Sequence, residues 1–160
     1  MRISRKSQYA LAAVLDLTLH APKLAKVPEI AFRNGIPLKF LELILSELKH
    51  RGFVAAKRGC NGGYVLAKTP DLITLGQVLA SFGERKPRRT RDGLAELWSR
   101  VDQTVWTILD GTTFADIATQ WEKAGKCEPL VPFDLAQAAV SVTKSPADRE
   151  RPAGTLAGVL

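Results

Sequence analysis

The chain has 160 residues, 46% hydrophobic and 24% charged, the balance of one globular domain and not of a disordered chain. No apolar run approaches the length of a membrane-spanning helix, and two cysteines, Cys60 and Cys127, make no disulfide framework. The formal charge of +7 is uneven: residues 1–93 carry 17 Lys+Arg against 7 Asp+Glu, and residues 94–160 carry 6 against 9. A basic front half fits a polyanionic partner, and a solvated basic surface would have the same composition.

The opening MRISRKSQYALAAVLDLTLH has the early positive charge of a secretory signal. Asp16 interrupts its apolar stretch and no small-residue cleavage pattern follows, so a cytoplasmic protein without membrane association is expected. Ser4 reads as the N-cap of a first helix running to about His20, with Tyr9, Ala10, Ala13, Val14 and Leu17 at helical spacing. Arg2, Arg5 and Lys6 sit at its start, where the helix dipole disfavours cations. Either an anion or plain solvent would answer them. Ala21-Pro22 ends this helix, and a short second helix runs from about Pro28 to Arg33, stopped by Asn34-Gly35. Pro37 opens a third helix, PLKFLELILSELKHRG, ending at Arg51-Gly52. Leu41, Ile44, Leu45 and Leu48 form its core face, while Lys39, Glu42, Leu43 and Ser46 point elsewhere. Two helices of this size joined by a short turn predict a helix-turn-helix.

Two short strands follow, Phe53 to Lys57 and Tyr64 to Ala67, joined by Arg58-Gly59-Cys60-Asn61-Gly62-Gly63. This glycine-rich tip joins strands and opens no helix, so nucleotide-cradle readings fail on context. A hairpin after a helix-turn-helix is a wing. Thr74 caps a fourth helix, Leu75 to about Phe82, and a basic loop occupies residues 84–93. A fifth helix, Leu94 to Leu109, carries Leu94, Leu97, Trp98, Val101, Val105 and Ile108 as one apolar stripe that calls for a partner helix. Asp110-Gly111 is predicted to break it, and Thr112 or Thr113 to cap a sixth helix reaching about Ala124. Residues 126–160 read as a partly disordered tail, with one amphipathic piece from Leu135 to Val142 that could be helical. The expected fold is mainly α with a small β-hairpin. Residues 1–83 form the winged helix-turn-helix domain, and residues 94–125 the dimerisation helices.

Four segments, MRISRKSQYALAAVLDL, IAFRNGIPLKFLELILSELKHRGFV, KRGCNGGYVLAK and ITLGQVLASF, resemble the Rrf/IscR-like bacterial winged-helix transcriptional regulators. The later LAELWSRV and TTFADIA look like that family's dimerisation helix and its short follower, so the likeness spans roughly residues 1–120. The resemblance implies a homodimer on a pseudo-palindromic operator in double-stranded DNA, and a repressor that blocks a promoter by occupying the operator is the function expected of it. The third helix would lie in the major groove and the wing arginine in the minor groove. It carries DNA contact onto Lys39 and Glu42, and onto Arg58 at a tip shaped by Asn61, Gly62 and Gly63. It also places Arg2, Ser4, Arg5, Lys6 and Tyr9 near the sugar-phosphate backbone. Leu43 departs from the polar residue common there and, facing the groove, could meet only a thymine methyl or a sugar.

The chemistry of these residues suits those roles. Lys39 and the N-terminal cations can neutralise phosphates, Glu42 can accept from a cytosine amino group, and Arg58 on a thin hairpin fits a narrow minor groove. Many relatives carry three cysteines between the fourth and fifth helices as iron–sulfur ligands. Residues 83–93 hold no cysteine or histidine, so this chain resembles the cluster-free branch, and no cofactor or metal is expected.

Other readings stand beside these. Cys60, next to Arg58, could be a redox-sensitive thiol or a small turn residue. Trp98, Trp106 and Trp121 could line a ligand pocket or pack in core and dimer contacts. The basic run at 85–91 could touch phosphates or only solvent. No catalytic grouping appears, so the chain is not expected to be an enzyme. The alternatives to a DNA-binding regulator are a thiol-redox or small-ligand sensor, using Cys60 or a pocket at the helix junction, and a protein-interaction module on the same fold.

Overall fold

The computed structural model describes residues 3–59, 62–85 and 93–124. Six α-helices and one hairpin follow in order: α1 (Arg5–Leu19), α2 (Val27–Asn34), α3 (Leu38–His50), β1 (Val54–Lys57), β2 (Gly63–Leu66), α4 (Leu75–Ser81), α5 (Ala95–Gly111) and α6 (Phe114–Ala124). A single 3₁₀ turn, Pro70–Leu72, precedes α4. This is the mainly helical winged helix-turn-helix that the sequence predicts.

The core forms where the apolar periodicity places it. Ser4 caps α1, its Oγ accepting from the Ser7 N–H at 3.3 Å. Tyr9, Ala10, Ala13, Val14 and Leu17 are buried below, and α3 contributes Leu41, Ile44, Leu45 and Leu48, each wholly buried. Complete burial of one such leucine contributes roughly 1.5–3 kcal/mol. Gly35 ends α2 at φ 61°, a left-handed cap that glycine adopts without strain. Asp16, the lone carboxylate of the apolar stretch in α1, is 5% exposed and takes a two-pronged hydrogen bond from Arg33 at 2.8 and 2.7 Å. That pair pins α2 to α1, and the Asp16 hydrogen bond raises the Arg33 pKa.

β1 and β2 pair antiparallel, with Val54 opposite Leu66 and Lys57 opposite Gly63. The other edge of β2 is tied down too: Ala25 donates to the Tyr64 carbonyl at 2.9 Å, and Tyr64 donates to the Ala25 carbonyl at 2.8 Å. A Cβ on Gly63 would lie 2.7 Å from the Ala25 carbonyl oxygen, so this bridge requires glycine there.

Two expectations change. The predicted break at Asp110-Gly111 does not stop α5, which runs through Gly111 and ends at Thr112 in extended conformation. The exit is set by pairing with a distant segment. Leu75 donates to the Thr112 carbonyl at 3.1 Å and Phe114 to the Ile73 carbonyl at 3.0 Å, which outweighs the local Asp-Gly preference. Thr113 then caps α6 reciprocally with Asp116, whose pKa the Thr113 hydroxyl and N–H lower. The second change concerns α6, which packs on α1. Its Phe114 is 1% exposed, and Ile117, Ala118 and Trp121 lie against the same core. α6 therefore belongs to the core of the winged domain, whereas α5 has no buried residue. No helix among the described residues is long and apolar enough to cross a membrane.

Candidate nucleic-acid interface

Helix periodicity that buries Leu41, Ile44, Leu45 and Leu48 turns the opposite face of α3 to solvent. Lys39, Glu42 and Leu43 are exposed together on it, Leu43 at 66%, with Leu38 and Phe40 partly exposed beside them. Lys39 and Glu42 make no ion pair with the described residues. The face thus offers one donor, one acceptor and one apolar side chain within two turns.

The wing presents Lys57, Arg58 and Gly59 to solvent. Gly59 has φ 111°, and Gly62 closes the turn by donating to the Gly59 carbonyl at 2.9 Å. A Cβ on Gly62 would fall 2.3 Å from the Lys57 carbonyl oxygen. The glycines therefore serve backbone packing inside the hairpin and leave Arg58 as the reaching group. Cys60 and Asn61 lie outside the described residues, as do Arg2, most of the basic loop, Cys127 and the tail.

The N-terminal residues are more occupied than the sequence suggests. Lys6 pairs with Glu47 of α3 at 2.5 Å and lies 5.4 Å over the Phe82 ring. Arg51 reaches the same carboxylate and the other cation-π contact with Phe82. The hydrogen bond from Lys6, then that from Arg51, holds the Glu47 carboxyl below its ordinary pKa. Ser4 is consumed by capping α1. Arg5 is exposed, without an ion pair among the described residues. Tyr9 needs a correction: it is 2% exposed, so the expected backbone contact with DNA is closed to it in this conformation. Its ring meets Phe40 edge-on at 5.7 Å, and its hydroxyl is buried without a hydrogen-bond partner. It supports α3 from beneath, because its place on the inward face of α1 outranks its polar tip.

Sequence reasoning missed Glu84. Its Oε1 accepts from the Ser4 N–H at 3.0 Å and the Ser7 hydroxyl at 2.6 Å. The anion wanted at the start of α1 is thus a carboxylate of the chain itself. Its signal was an acidic residue standing alone at the head of a basic run.

Leu94, the N-cap of α5, and Leu97, Val101 and Ile108 on the helix are 51%, 51%, 43% and 63% exposed, while Trp98 and Val105 are half-buried. Leu97, Val101 and Val105 line a shallow open groove with Arg100 and Thr104. Trp106 packs under the Arg85 guanidinium at 4.8 Å and Trp121 against the core, which favours packing over a ligand pocket for both.

Comparison with known proteins agrees with this geometry. Residues 3–120 match the Rrf2 family, described as iron-dependent transcriptional regulators. The chain is 34% identical to the helix-turn-helix-type transcriptional regulator CymR of Bacillus subtilis, over 74% of this chain and 91% of that one. It is 32% identical to the regulator IscR of Erwinia tasmaniensis, over 76% and 81%. The solved structure of B. subtilis CymR, a global cysteine regulator, superposes with a TM-score of 0.68 at 31% identity, covering 75% of this chain and 98% of that one.

The described residues gather no donor set for the iron in the family description. Among the described residues no three His, Cys, Asp or Glu side chains gather as a metal site. Residues 83–93, where many relatives carry cluster cysteines, contain neither cysteine nor histidine. What the residues do fit is a winged helix-turn-helix with an exposed α3 face and a basic wing, and the chain belongs to the Rrf2 family of DNA-binding helix-turn-helix transcriptional regulators.

Proposed function

We propose that the protein acts as a homodimer on a pseudo-palindromic operator and represses transcription by occupying it, in the cytoplasm and without an iron–sulfur cluster between α4 and α5. The observation that carries this reading is the uncovered apolar face of α5. Four large aliphatic residues at 43–63% exposure on one helix face is an arrangement that a second copy would bury. Two α5 helices packed together would set two wings and two copies of α3 at a fixed separation, which is how a dimer reads two half-sites.

Within each half-site, Lys39 and Arg5 bind phosphates, Glu42 accepts from a base-pair donor, Leu43 meets a thymine methyl, and Arg58 enters the minor groove. Gly62 and Gly63 hold that arginine's hairpin in shape. Residues 1–83 together with α6, which completes their core, act as the DNA-binding unit, and α5 supplies the dimer contact.

Selection of bound duplexes from a random pool tests the reading directly. It should return two inverted half-sites of constant spacing, and sedimentation should give a dimer. Val101→Asp should yield a folded monomer that loses the selected site, because two like charges would face each other across the pair. Arg58→Ala should lose about 1–3 kcal/mol of operator affinity. A wild-type monomer, or a selected motif with a single half-site, would defeat the proposal.

A further inference from the structure

We propose that Glu84 and Arg85 form a two-ended strap that couples the dimerisation helix to the DNA-facing end of α1. Two neighbouring residues hold two different parts of the molecule. Glu84 accepts from the Ser4 N–H and the Ser7 hydroxyl at the start of α1, at 3.0 and 2.6 Å. Arg85 donates to Asp110 of α5 at 2.7 Å and stacks 4.8 Å over Trp106 of the same helix.

The backbone beneath them is fixed. Gly83, at φ 81°, donates to the Ala80 carbonyl at 3.0 Å, and Glu84 donates to the Leu79 carbonyl at 3.1 Å. This double closure of the end of α4 leaves the strap little freedom to swing. Both anchor points are stiff as well. Ser7 is wholly buried, and its Oγ lies 2.8 Å from the Ser4 Oγ, so the Glu84 carboxylate closes a three-membered polar network at the α1 cap. Asp110 sits against α4 so closely that a Cβ on Gly76 would lie 1.9 Å from its Oδ1.

A shift of α5 relative to its partner therefore pulls on Asp110, then on Arg85 and Glu84, and moves Ser4, Arg5 and Lys6 as a unit. Affinity for DNA becomes linked to the geometry of the dimer contact, and by reciprocity DNA biases that contact. Glu84 and Arg85 are positioning residues here and touch no DNA themselves.

The inference rests on the dimer reading of α5, and one experiment separates the two. Fluorescence anisotropy with the selected duplex would compare wild type, Glu84→Ala, Asp110→Asn and the double variant, with sedimentation run on the same samples. Each substitution removes a negative charge, so simple electrostatics would tighten binding. The strap predicts the opposite: about five- to tenfold weaker operator binding for each single variant, in proteins that remain dimeric, and no further loss in the double variant. Tighter binding in both single variants, or losses that multiply in the double variant, would overturn the strap while leaving the dimer reading intact. A monomeric wild type would overturn the dimer reading and the strap with it. Asp110→Asn keeps the test valid should Glu84→Ala disturb the α1 cap, because the Asp110 carboxylate is held by Arg85 and lies beside Gly76 of α4, at the other end of the strap.

Discussion

α3 and α5 are both amphipathic, yet they live in opposite surroundings. In α3 the core face is wholly buried against α1 and α2, and the opposite face is left to solvent. In α5 no residue is buried, and the apolar face looks outward. The same sequence device, apolar residues at helical spacing, meets its complement inside the chain in one case and lacks it in the other. A periodic stripe says that a face will be covered, and says nothing of what covers it.

Matched leucines put this contrast to the test. Leu45→Ala should cost about 2–5 kcal/mol in urea unfolding, since it empties a site at 0% exposure. Leu97→Ala, at 51% exposure, should change the stability of the protomer by less than about 0.5 kcal/mol. It should instead weaken the dimer about tenfold in sedimentation, the loss appearing only on dilution. Equal effects of the two substitutions on urea unfolding would erase the distinction between the helices.

The wing sharpens the same point at the scale of one atom. Gly63→Ala should destabilise the domain by about 1–3 kcal/mol, because the new methyl group collides with the Ala25 carbonyl, which is backbone and cannot swing aside. Amide exchange should locate the damage at Ala25 and Tyr64, with α5 unchanged.

The smallest effect lies where α1 meets α3. Glu47 has a folded-state pKa below its ordinary value of 4.5, owing to Lys6 and then Arg51. Its contribution is therefore complete above that value and vanishes as pH falls through the folded-state pKa. The side chains of Lys6 and Glu47 are 47% and 26% exposed, so water screens the pair and the contribution stays below about 1 kcal/mol. Between pH 6 and pH 3, wild type should lose slightly more stability than Glu47→Gln. Parallel pH curves would show that the pair adds nothing.

What could be read in advance follows from how local each feature is. The core face of α3, the cap at Ser4 and the hairpin between Arg58 and Gly63 are written in neighbouring residues, so periodicity and turn chemistry reveal them. Features made by distant residues stayed hidden. Asp16 announces that it needs a partner, yet nothing near it names Arg33. Phe114 reads as the opening of a follower helix, and only the fold puts it in the α1 core. The exposed face of α3 was legible because α3 is regular and half of it is accounted for by packing. The engagement of Lys6 with Glu47, and of Ser4 and Ser7 with Glu84, was not, since each joins residues at least 41 positions apart.

The bridge between Ala25 and Tyr64 makes the α1–α2 connection and the inner hairpin strand one rigid block. The reach from α3 to Arg58 is then nearly constant within each protomer, like the span of a fixed caliper. In the proposed dimer, any tolerance for operators of unequal length would then reside in the joint between two copies.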